Sequence, residues 1–286
     1  MKWIVGIMLV GLFFWFNLLN PAFAKEKKIP KGLKTKTEIE YEFVDKFGEY
    51  KKVLSSKKIY RYDDKGRQIE EAEYDADGKL TDKWLSTYDD KGNEIEAAEY
   101  GAEGKLSSKE IYKYDDNGKQ VETSVYDADG KLTGKQIKYE SLKGKQIEWF
   151  WYSPDGKLTG KFRSRYDDKG NRIEWTEYDA DGALTGKHLF KYDDKGNEIE
   201  WAEYDADGKL ISKDISKYDD KGNEIELADY DTDGKLMFKH FYKYGYDDKG
   251  NQIEQMTYKV EEKFGGVQEV PVSQTVYEYE FYPQGK

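Results

Sequence analysis

Three tryptophans recur at a fixed spacing, and they are the residues whose type and pattern most directly suggest ligand binding. Trp149, Trp175 and Trp201 follow one another at intervals of 26 residues. In alternate strands of a sheet such rings stand about 9–10 Å apart, and a sugar polymer could stack on them. Lys187 and Lys213 flank the column and could hydrogen-bond sugar hydroxyls. The alternative is structural: the indoles cover apolar neighbours and stack on these lysines across the strand.

Aspartates suggest a second chemistry, because Asp-x-Asp-Gly resembles half of a calcium loop. The segments begin at Asp75, Asp127, Asp179, Asp205 and Asp231. A complete EF-hand needs ligands at five or more places and ends in a bidentate Glu, whereas Lys, Leu and Thr follow these glycines. Turn chemistry explains the same pattern, since Asp accepts hydrogen bonds from turn backbone and Gly adopts positive φ. We therefore predict no metal and no cofactor.

No catalytic constellation stands out. The chain has no cysteine, which excludes disulfides and thiolate nucleophiles, and its two histidines, His188 and His240, occupy the same column of a repeat. Carboxylates are everywhere, whereas a glycosidase needs two in unlike environments within a cleft. We predict a non-enzymatic protein. A glycan-active hydrolase is the alternative, and a deep pocket holding a carboxylate of raised pKa would favour it.

The elements that position these residues come from a repeat of 26 residues. Tyr-x-x-x-Gly recurs at this step at Tyr74, Tyr100, Tyr126, Tyr152, Tyr178, Tyr204 and Tyr230. Tyr-Asp-Asp-x-Gly forms a second phase at Tyr62, Tyr88, Tyr114, Tyr166, Tyr192, Tyr218 and Tyr246. Asp at the first turn position and Gly at the fourth predict a type I turn followed by a left-handed Gly that forms a bulge, which is a common hairpin connection. Strands such as Arg67–Tyr74 and Lys79–Tyr88 lie between the turns.

These turns also predict a register. If the Asp pairs with the residue after the Gly, Tyr74 faces Leu80, and counting along the ladder places Lys187 opposite Glu203 and Lys161 opposite Glu177. Such columns would form a charge ladder that supports the register, at about 0.2–1 kcal/mol for each pair.

The fold class that follows is all-β. We predict an elongated antiparallel β-meander of tandem 26-residue hairpin repeats, forming an open or spiralling single sheet. The predicted organisation is a signal peptide over 1–24, N-terminal cap strands over 25–49, hairpin repeats over 50–258 and a C-terminal cap hairpin over 259–286.

The Tyr-Asp-x-x-Gly units, with a hydrophobic residue after many of the glycines, resemble the YD repeats of the RHS family of bacterial exported proteins. The resemblance covers about residues 50–258. The resemblance implies a spiralling β-sheet, which in long arrays of the family can enclose a cargo. It also implies carbohydrate binding, which is often ascribed to these repeats. This chain shows no toxin region after the array, so it is similar to a short solitary array.

The N-terminus and the charge indicate compartment and partners. An apolar run from Trp3 to Leu19 precedes Ala22 and Ala24, which predicts signal-peptide cleavage, with an uncleaved anchor as the alternative. The net charge of −11 disfavours nucleic acid and anionic membrane. We predict an exported protein, periplasmic or extracellular, with no membrane span after cleavage. It would act as a binding or scaffold module for a glycan or an envelope protein, in an oligomeric state that the sequence leaves open.

Overall fold

The computed structural model of this protein describes residues 29–140, 145–263 and 266–283 of the chain. The predicted signal peptide, including its cleavage residues Ala22 and Ala24, lies outside the described residues. The chain divides into Met1–Lys31 and Gly32–Lys286, and the elements described in the second unit are all strands, joined by turns. Among the described residues, no helix has the length and apolar character needed to cross a membrane.

Eighteen strands follow one another in the second unit. The first nine are β1 Leu33–Lys46, β2 Glu49–Tyr62, β3 Gln68–Asp75, β4 Leu80–Tyr88, β5 Glu94–Gly101, β6 Leu106–Tyr114, β7 Gln120–Asp127, β8 Leu132–Glu140 and β9 Gln146–Tyr152. The other nine are β10 Leu158–Tyr166, β11 Arg172–Asp179, β12 Leu184–Tyr192, β13 Glu198–Asp205, β14 Leu210–Tyr218, β15 Glu224–Tyr230, β16 Leu236–Tyr246, β17 Gln252–Lys263 and β18 Gly266–Phe281. Each strand pairs antiparallel with the next, so the predicted meander of hairpins is present.

The sheet is closed rather than open. β1 pairs with β2 on one side and with β18 on the other, and the second pairing runs from Leu33 opposite Phe281 to Glu42 opposite Ser273. The prediction of an open or spiralling sheet is therefore wrong: the strands form a closed 18-stranded antiparallel barrel. Closure removes the two free edges that an open sheet would expose to other chains. The atypical terminal segments, which we expected to cap an array, hydrogen-bond to each other.

The predicted hairpin turns are confirmed. In the turn after β3, the Asp75 amide donates to the Lys79 carbonyl at 2.9 Å and the Gly78 amide donates to the Asp75 carbonyl at 3.0 Å. Gly78 has φ of 78°, which a residue with a Cβ adopts at a cost. The Asp75 carboxylate accepts the amides of Asp77 and Lys79, so this side chain is used within the turn itself.

The predicted register beyond the turns is wrong, because a bulge in the strands follows each turn of the two repeated motifs. Tyr204 pairs with Leu210 as the turn requires, but Glu203 then pairs with Ser212, which leaves Ile211 as an extra residue. Equivalent shifts recur around the ring. As a result Lys187 lies opposite Tyr204, and Lys161 lies opposite Tyr178. A slip of one residue moves every side chain to the other face of the sheet.

Side chains satisfy the backbone where the ladders are interrupted. At the extra residue of β8 the hydroxyl of Thr133 donates to the Val125 carbonyl at 3.1 Å. At the opposite end of the strands, Tyr114 of a Tyr-Asp-Asp-x-Gly motif donates its hydroxyl to the Glu94 carbonyl at 2.6 Å. The same bond, made by the motif Tyr to a carbonyl 20 residues earlier, recurs at Tyr88 and Tyr192, and Tyr244, two residues before the last motif Tyr, makes it to Glu224. The repeated Tyr therefore closes the end of the ladder.

The two kinds of turn occupy opposite rims of the barrel, because they alternate along an up-and-down chain. The Tyr-Asp-Asp-x-Gly turns share their rim with the start of β1 and the end of β18. The Asp-x-Asp-Gly turns share the other rim with the β1–β2 and β17–β18 hairpins, which have the longest strands. In the part of the chain that the structure describes, strands pack substantially only against their ring neighbours.

Candidate functional site: the inner face of the ring

The wall of the ring has two faces of different character, because side chains alternate along a strand and cross-strand partners share a face. One face, called the ladder face here, carries glutamate and lysine columns that recur in almost every repeat. Its lysine column is Lys83, Lys109, Lys135, Lys161, Lys187, Lys213 and Lys239. The other face, called the mixed face, carries the adjacent column, which holds six different residue types over seven repeats. That column is Trp84, Glu110, Gln136, Phe162, His188, Asp214 and His240.

Ion pairs organise the ladder face. Glu122 lies between two cations, with Lys113 Nζ at 2.9 Å from one carboxylate oxygen and Lys135 Nζ at 2.7 Å from the other. Partial burial opposes ionisation of Glu122, but the hydrogen bonds from the two lysines outweigh it and lower the pKa of the carboxyl. Glu226 has the same arrangement with Lys217 and Lys239. The charge ladder that the sequence predicts therefore exists, but between other partners than the predicted ones.

Ionisable groups on the mixed face are much more strongly desolvated. Burial raises the pKa of Glu198 to about 7, of Asp214 to about 6, and of Tyr218 to about 12. Glu110 is 5% exposed, and burial raises its pKa although the Tyr112 hydroxyl donates to it at 2.8 Å. Side chains on the concave side of a curved wall converge and exclude water from one another. Large side chains on this face are almost fully buried, with Gln136 and Phe162 each 7% exposed and Phe190 9% exposed. From this crowding we infer that the mixed face is the inside of the ring.

Aromatic rings form one sector of this inner face, on β9 to β13. Trp175 is 6% exposed, and its ring centroid lies 5.2 Å from that of Phe162 and 5.6 Å from that of Trp149. The Arg172 guanidinium lies over the Trp175 ring at 5.2 Å. Trp175 Nε1 donates to Glu177 at 3.1 Å. Trp175 is therefore enclosed by its neighbours, and its ring faces are already occupied.

A second sector, on β13 to β16, is rich in acids. Asp214 and Asp229 are direct cross-strand partners. Burial first, and then the hydrogen bond and the charge of Asp229, raise the pKa of Asp214. Glu224 lies beside them; burial raises its pKa although the Ser216 hydroxyl donates to it at 2.5 Å. Glu198 hydrogen-bonds to Tyr192. Carboxyl groups in this sector hold their protons at higher pH than ordinary carboxyls do.

The structure separates the residues that the sequence grouped into one candidate site. Trp149, Trp175 and Trp201 lie on the inner face, with Trp149 and Trp201 half-buried. Lys187 and Lys213 lie on the ladder face, where Lys187 approaches Glu174 at 3.4 Å and Lys213 lies over the Tyr230 ring at 5.1 Å. The wall itself stands between the tryptophans and the lysines. The predicted ring spacing of about 9–10 Å is also wrong for the first pair, because the Trp149 and Trp175 rings lean together.

The remaining candidates have ordinary structural partners. The His188 ring stacks on Trp201 with centroids 5.5 Å apart, and its Nε2 lies 3.7 Å from Glu177. Desolvation, followed by the charge of Lys259, lowers the pKa of His240. Within the ranges that the structure describes, His, Asp and Glu side chains nowhere gather in a group of three that could hold a metal ion.

The acidic inner sector was missed because its residues belong to no motif. A usable signal was nevertheless present in the repeats. The lysine column is constant over seven repeats, whereas the adjacent column holds Trp, Glu, Gln, Phe, His, Asp and His in turn. Constant columns build the wall, so the variable columns are where a face specific to a ligand would lie.

Comparisons with known proteins leave the function open. No protein-family model matches the sequence, and no curated protein matches it. Among solved structures, a porin-like protein from Bacteroides uniformis covers 87% of this chain and 97% of its own, at 12% identity and a TM-score of 0.47. The structure of TcdB2-TccC3-TEV covers 78% of this chain at 13% identity and a TM-score of 0.22, but this chain spans only 15% of that one. At these scores neither likeness carries an argument about function.

Proposed function

We propose that this protein is an exported, non-enzymatic binding module whose inner barrel face holds a ligand. The observation that supports the proposal most directly is the difference between the two faces. The ladder face repeats the same ion pairs around the ring, as in Glu122 with Lys113 and Lys135, while the inner face changes its residues from repeat to repeat. A wall that serves only as a scaffold would have no reason to vary on one side alone. The proposed location, periplasmic or extracellular, rests on the predicted signal peptide.

We propose that both faces of the wall are exposed to water. A barrel that faces lipid carries an outward apolar band about 25 Å tall. Here the outward face carries paired charges along the middle of its strands, for example Glu174 with Lys187 and Glu226 with Lys239. A charge at the middle of a bilayer costs about 2–4 kcal/mol on a barrel surface. The outer face is therefore suited to water.

The absence of cysteine from the chain permits a direct test. Single cysteines are introduced into β14 on each face, as Ser212→Cys on the inner face and Lys217→Cys on the ladder face. The chain from Lys25 onward is purified without detergent and treated with a charged maleimide of small size. Both positions should react in the folded state. A chain that requires detergent, with Lys217→Cys protected and Ser212→Cys reactive, would mean that the wall faces lipid and would refute the proposal.

A hydrolase remains the second candidate, and one observation favours it. Glu198 has a pKa raised to about 7 by burial, as a general acid requires. The second carboxylate of a glycosidase must lie in an unlike environment and ionise readily, whereas burial also raises the pKa of Asp214 and Glu224 nearby. Assay of the purified chain and of Glu198→Gln on neutral polysaccharides tests it. Hydrolysis that the substitution abolishes would establish the enzyme.

A further inference from the structure

We infer that the inner face of the ring binds a cationic polypeptide segment. This inference rests on the proposed function, and it names the class of ligand. It follows from how charge is divided between the two faces of the wall, from the width of the ring and from the state of the inner tryptophans.

Acids and bases are segregated by the wall. Bases dominate the ladder face, where they outnumber the glutamates that pair with them. These bases are Lys57, Arg61, Lys83, Lys109, Lys113, Lys135, Lys161, Arg163, Arg165, Lys187, Lys191, Lys213, Lys217, Lys239 and Lys243. Acids dominate the inner face. These acids are Glu38, Glu71, Glu73, Asp82, Glu94, Glu99, Glu110, Glu177, Glu198, Glu203, Asp214, Glu224 and Asp229.

Few inner bases offset these acids. Lys58 pairs with Glu73, Lys36 approaches Glu38 at 2.5 Å, and Arg172 lies over aromatic rings. Lys138 and Lys259 also lie on this face, opposite Trp149 and His240. The inner face therefore holds a surplus of negative charge, most of it on strands that carry no inner cation. A concave surface of one sign focuses its field and attracts a ligand of the opposite sign. Burial is the main cause of the raised pKa values here, and repulsion from neighbouring carboxylates adds to it at Glu198 and Asp214, which a bound cation would relieve.

The ring is wide enough for a polypeptide. Eighteen strands spaced about 4.8 Å apart have a perimeter of about 86 Å before any tilt is added, which corresponds to a circle about 27 Å across. Barrels of this strand number enclose a channel rather than a packed core. Among the described residues, the backbones of strands come close substantially only between ring neighbours, so the opposite walls stand apart.

The inner aromatic residues favour a polypeptide over a basic glycan. Sugar stacking requires a free indole face, and Trp175 is 6% exposed between Phe162, Trp149 and Arg172. Half-buried tyrosines lie among the acids, with Tyr192 opposite Glu198 and Tyr218 opposite Glu224. They offer ring faces and carboxylates together to Lys and Arg side chains. This combination suits flexible cationic side chains on a peptide backbone.

Adjacent glutamates of the same strands point to opposite faces, and they give a matched test. The inner triple variant is Glu99→Gln, Glu177→Gln and Glu203→Gln. The outer triple variant is Glu96→Gln, Glu174→Gln and Glu200→Gln. Both change the net charge by the same amount, so long-range attraction to the whole molecule is equal in the two. Circular dichroism and thermal unfolding establish that each variant retains the fold.

Binding of a decalysine peptide to the mature chain is measured by calorimetry and by tryptophan fluorescence, because the tryptophans of the aromatic sector lie on the inner face. The inner variant should weaken binding at least tenfold, and the outer variant should change it less than threefold. Equal weakening by both variants would mean non-specific surface attraction and would overturn the inference. So would preferential binding of a glucosamine hexamer, although the binding function itself would then stand. Failure of every probe, with Ser212→Cys unreactive, would remove the proposed function as well.

Discussion

At the scale of single residues, Trp175 is the clearest case of a side chain whose environment differs from the one its pattern suggested. We predict that Trp175→Ala lowers the free energy of unfolding by about 3–5 kcal/mol, because a buried aromatic leaves a cavity that its neighbours fill only in part. Trp201 is only half-buried against His188, so Trp201→Ala should lower the free energy of unfolding by less. Urea denaturation of both variants measures this. Equal and small losses would show that the Trp175 ring is exposed after all.

Gly196 shows how one backbone angle can matter more than an ion pair. Its φ is 81°, and a Cβ there would meet only Asn171 Oδ1, at 3.8 Å. Gly196→Val should therefore cost about 1–3 kcal/mol through backbone strain alone. Gly101 occupies the first position of another turn without a positive φ and with open space around it, so Gly101→Val is the control and should cost about 0.5 kcal/mol or less. Similar losses at both sites would contradict the assignment.

At the scale of elements, the hydroxyl of the repeated Tyr links neighbouring hairpins. Tyr114→Phe removes only the bond to the Glu94 carbonyl, and we expect a loss of about 0.5–1.5 kcal/mol. Tyr100→Phe on the ladder face is the control, and it should be nearly neutral. Thermal unfolding of the two variants in parallel gives the difference. If Tyr114→Phe proves as stable as the unmodified chain, solvent already satisfies that carbonyl.

The turns and the bulge at their Gly were predictable from the sequence, whereas the further bulge near the start of the next strand was not, for a physical reason. A turn is encoded by Asp and Gly within four residues, as at Asp75 to Gly78. The bulge after it depends on residues such as Thr133 and Ile211, whose types are equally at home in a regular strand. One unrecognised bulge reverses the face of every later residue. For this reason Lys187 and Glu203, predicted as partners, lie on opposite sides of the wall.

At the scale of the whole molecule, ring closure could not be foreseen from a local pattern. Each repeat specifies its two neighbours, and an open array and a closed one use the same hairpins. Closure depends on β1 and β18, which lie outside the repeat and pair over most of the length of β1. The location of the candidate site inside the ring could not be predicted from the local pattern either. Three tryptophans could be placed on one face, but a face becomes an interior only when the ring is complete.

The acidity of the interior predicts how stability depends on pH. Glu198 has a folded pKa of about 7 against an ordinary value of 4.5, so the folded ring binds more protons than the unfolded chain between those values. The stabilisation that Glu198 contributes to the fold is therefore greatest below about pH 4.5 and is lost as pH rises through 7. Asp214 also stabilises the fold at low pH, and its stabilisation is lost as pH rises through about 6. Glu122 and Glu226 have lowered pKa values, so their contribution is lost as pH falls below about 4.5.

The melting temperature should thus be highest near pH 5 and fall by a few degrees towards pH 8. Glu198→Gln should flatten the decline between pH 5 and 8, because the amide has no proton to lose. Glu200→Gln, on the ladder face of the same strand, should leave that slope unchanged. A melting temperature that rises steadily from pH 5 to 8 would show that the inner carboxyls are ordinary.

Because β1 pairs with β18, every strand of the ring has a neighbour on both sides, wherever the chain starts and ends. Leu33 pairs with Phe281, and the Tyr282 amide donates to the Gly32 carbonyl at 2.8 Å, so the two ends of the described barrel touch. A circular permutant that joins residue 283 to residue 31 by a short linker, and opens the chain in the turn of Asp205 to Gly208, keeps every strand pair. It should fold to the same ring, which near-ultraviolet circular dichroism can check. The ends of such a chain could lie at any hairpin turn, and a domain fused to either end would then lie at one of the two rims.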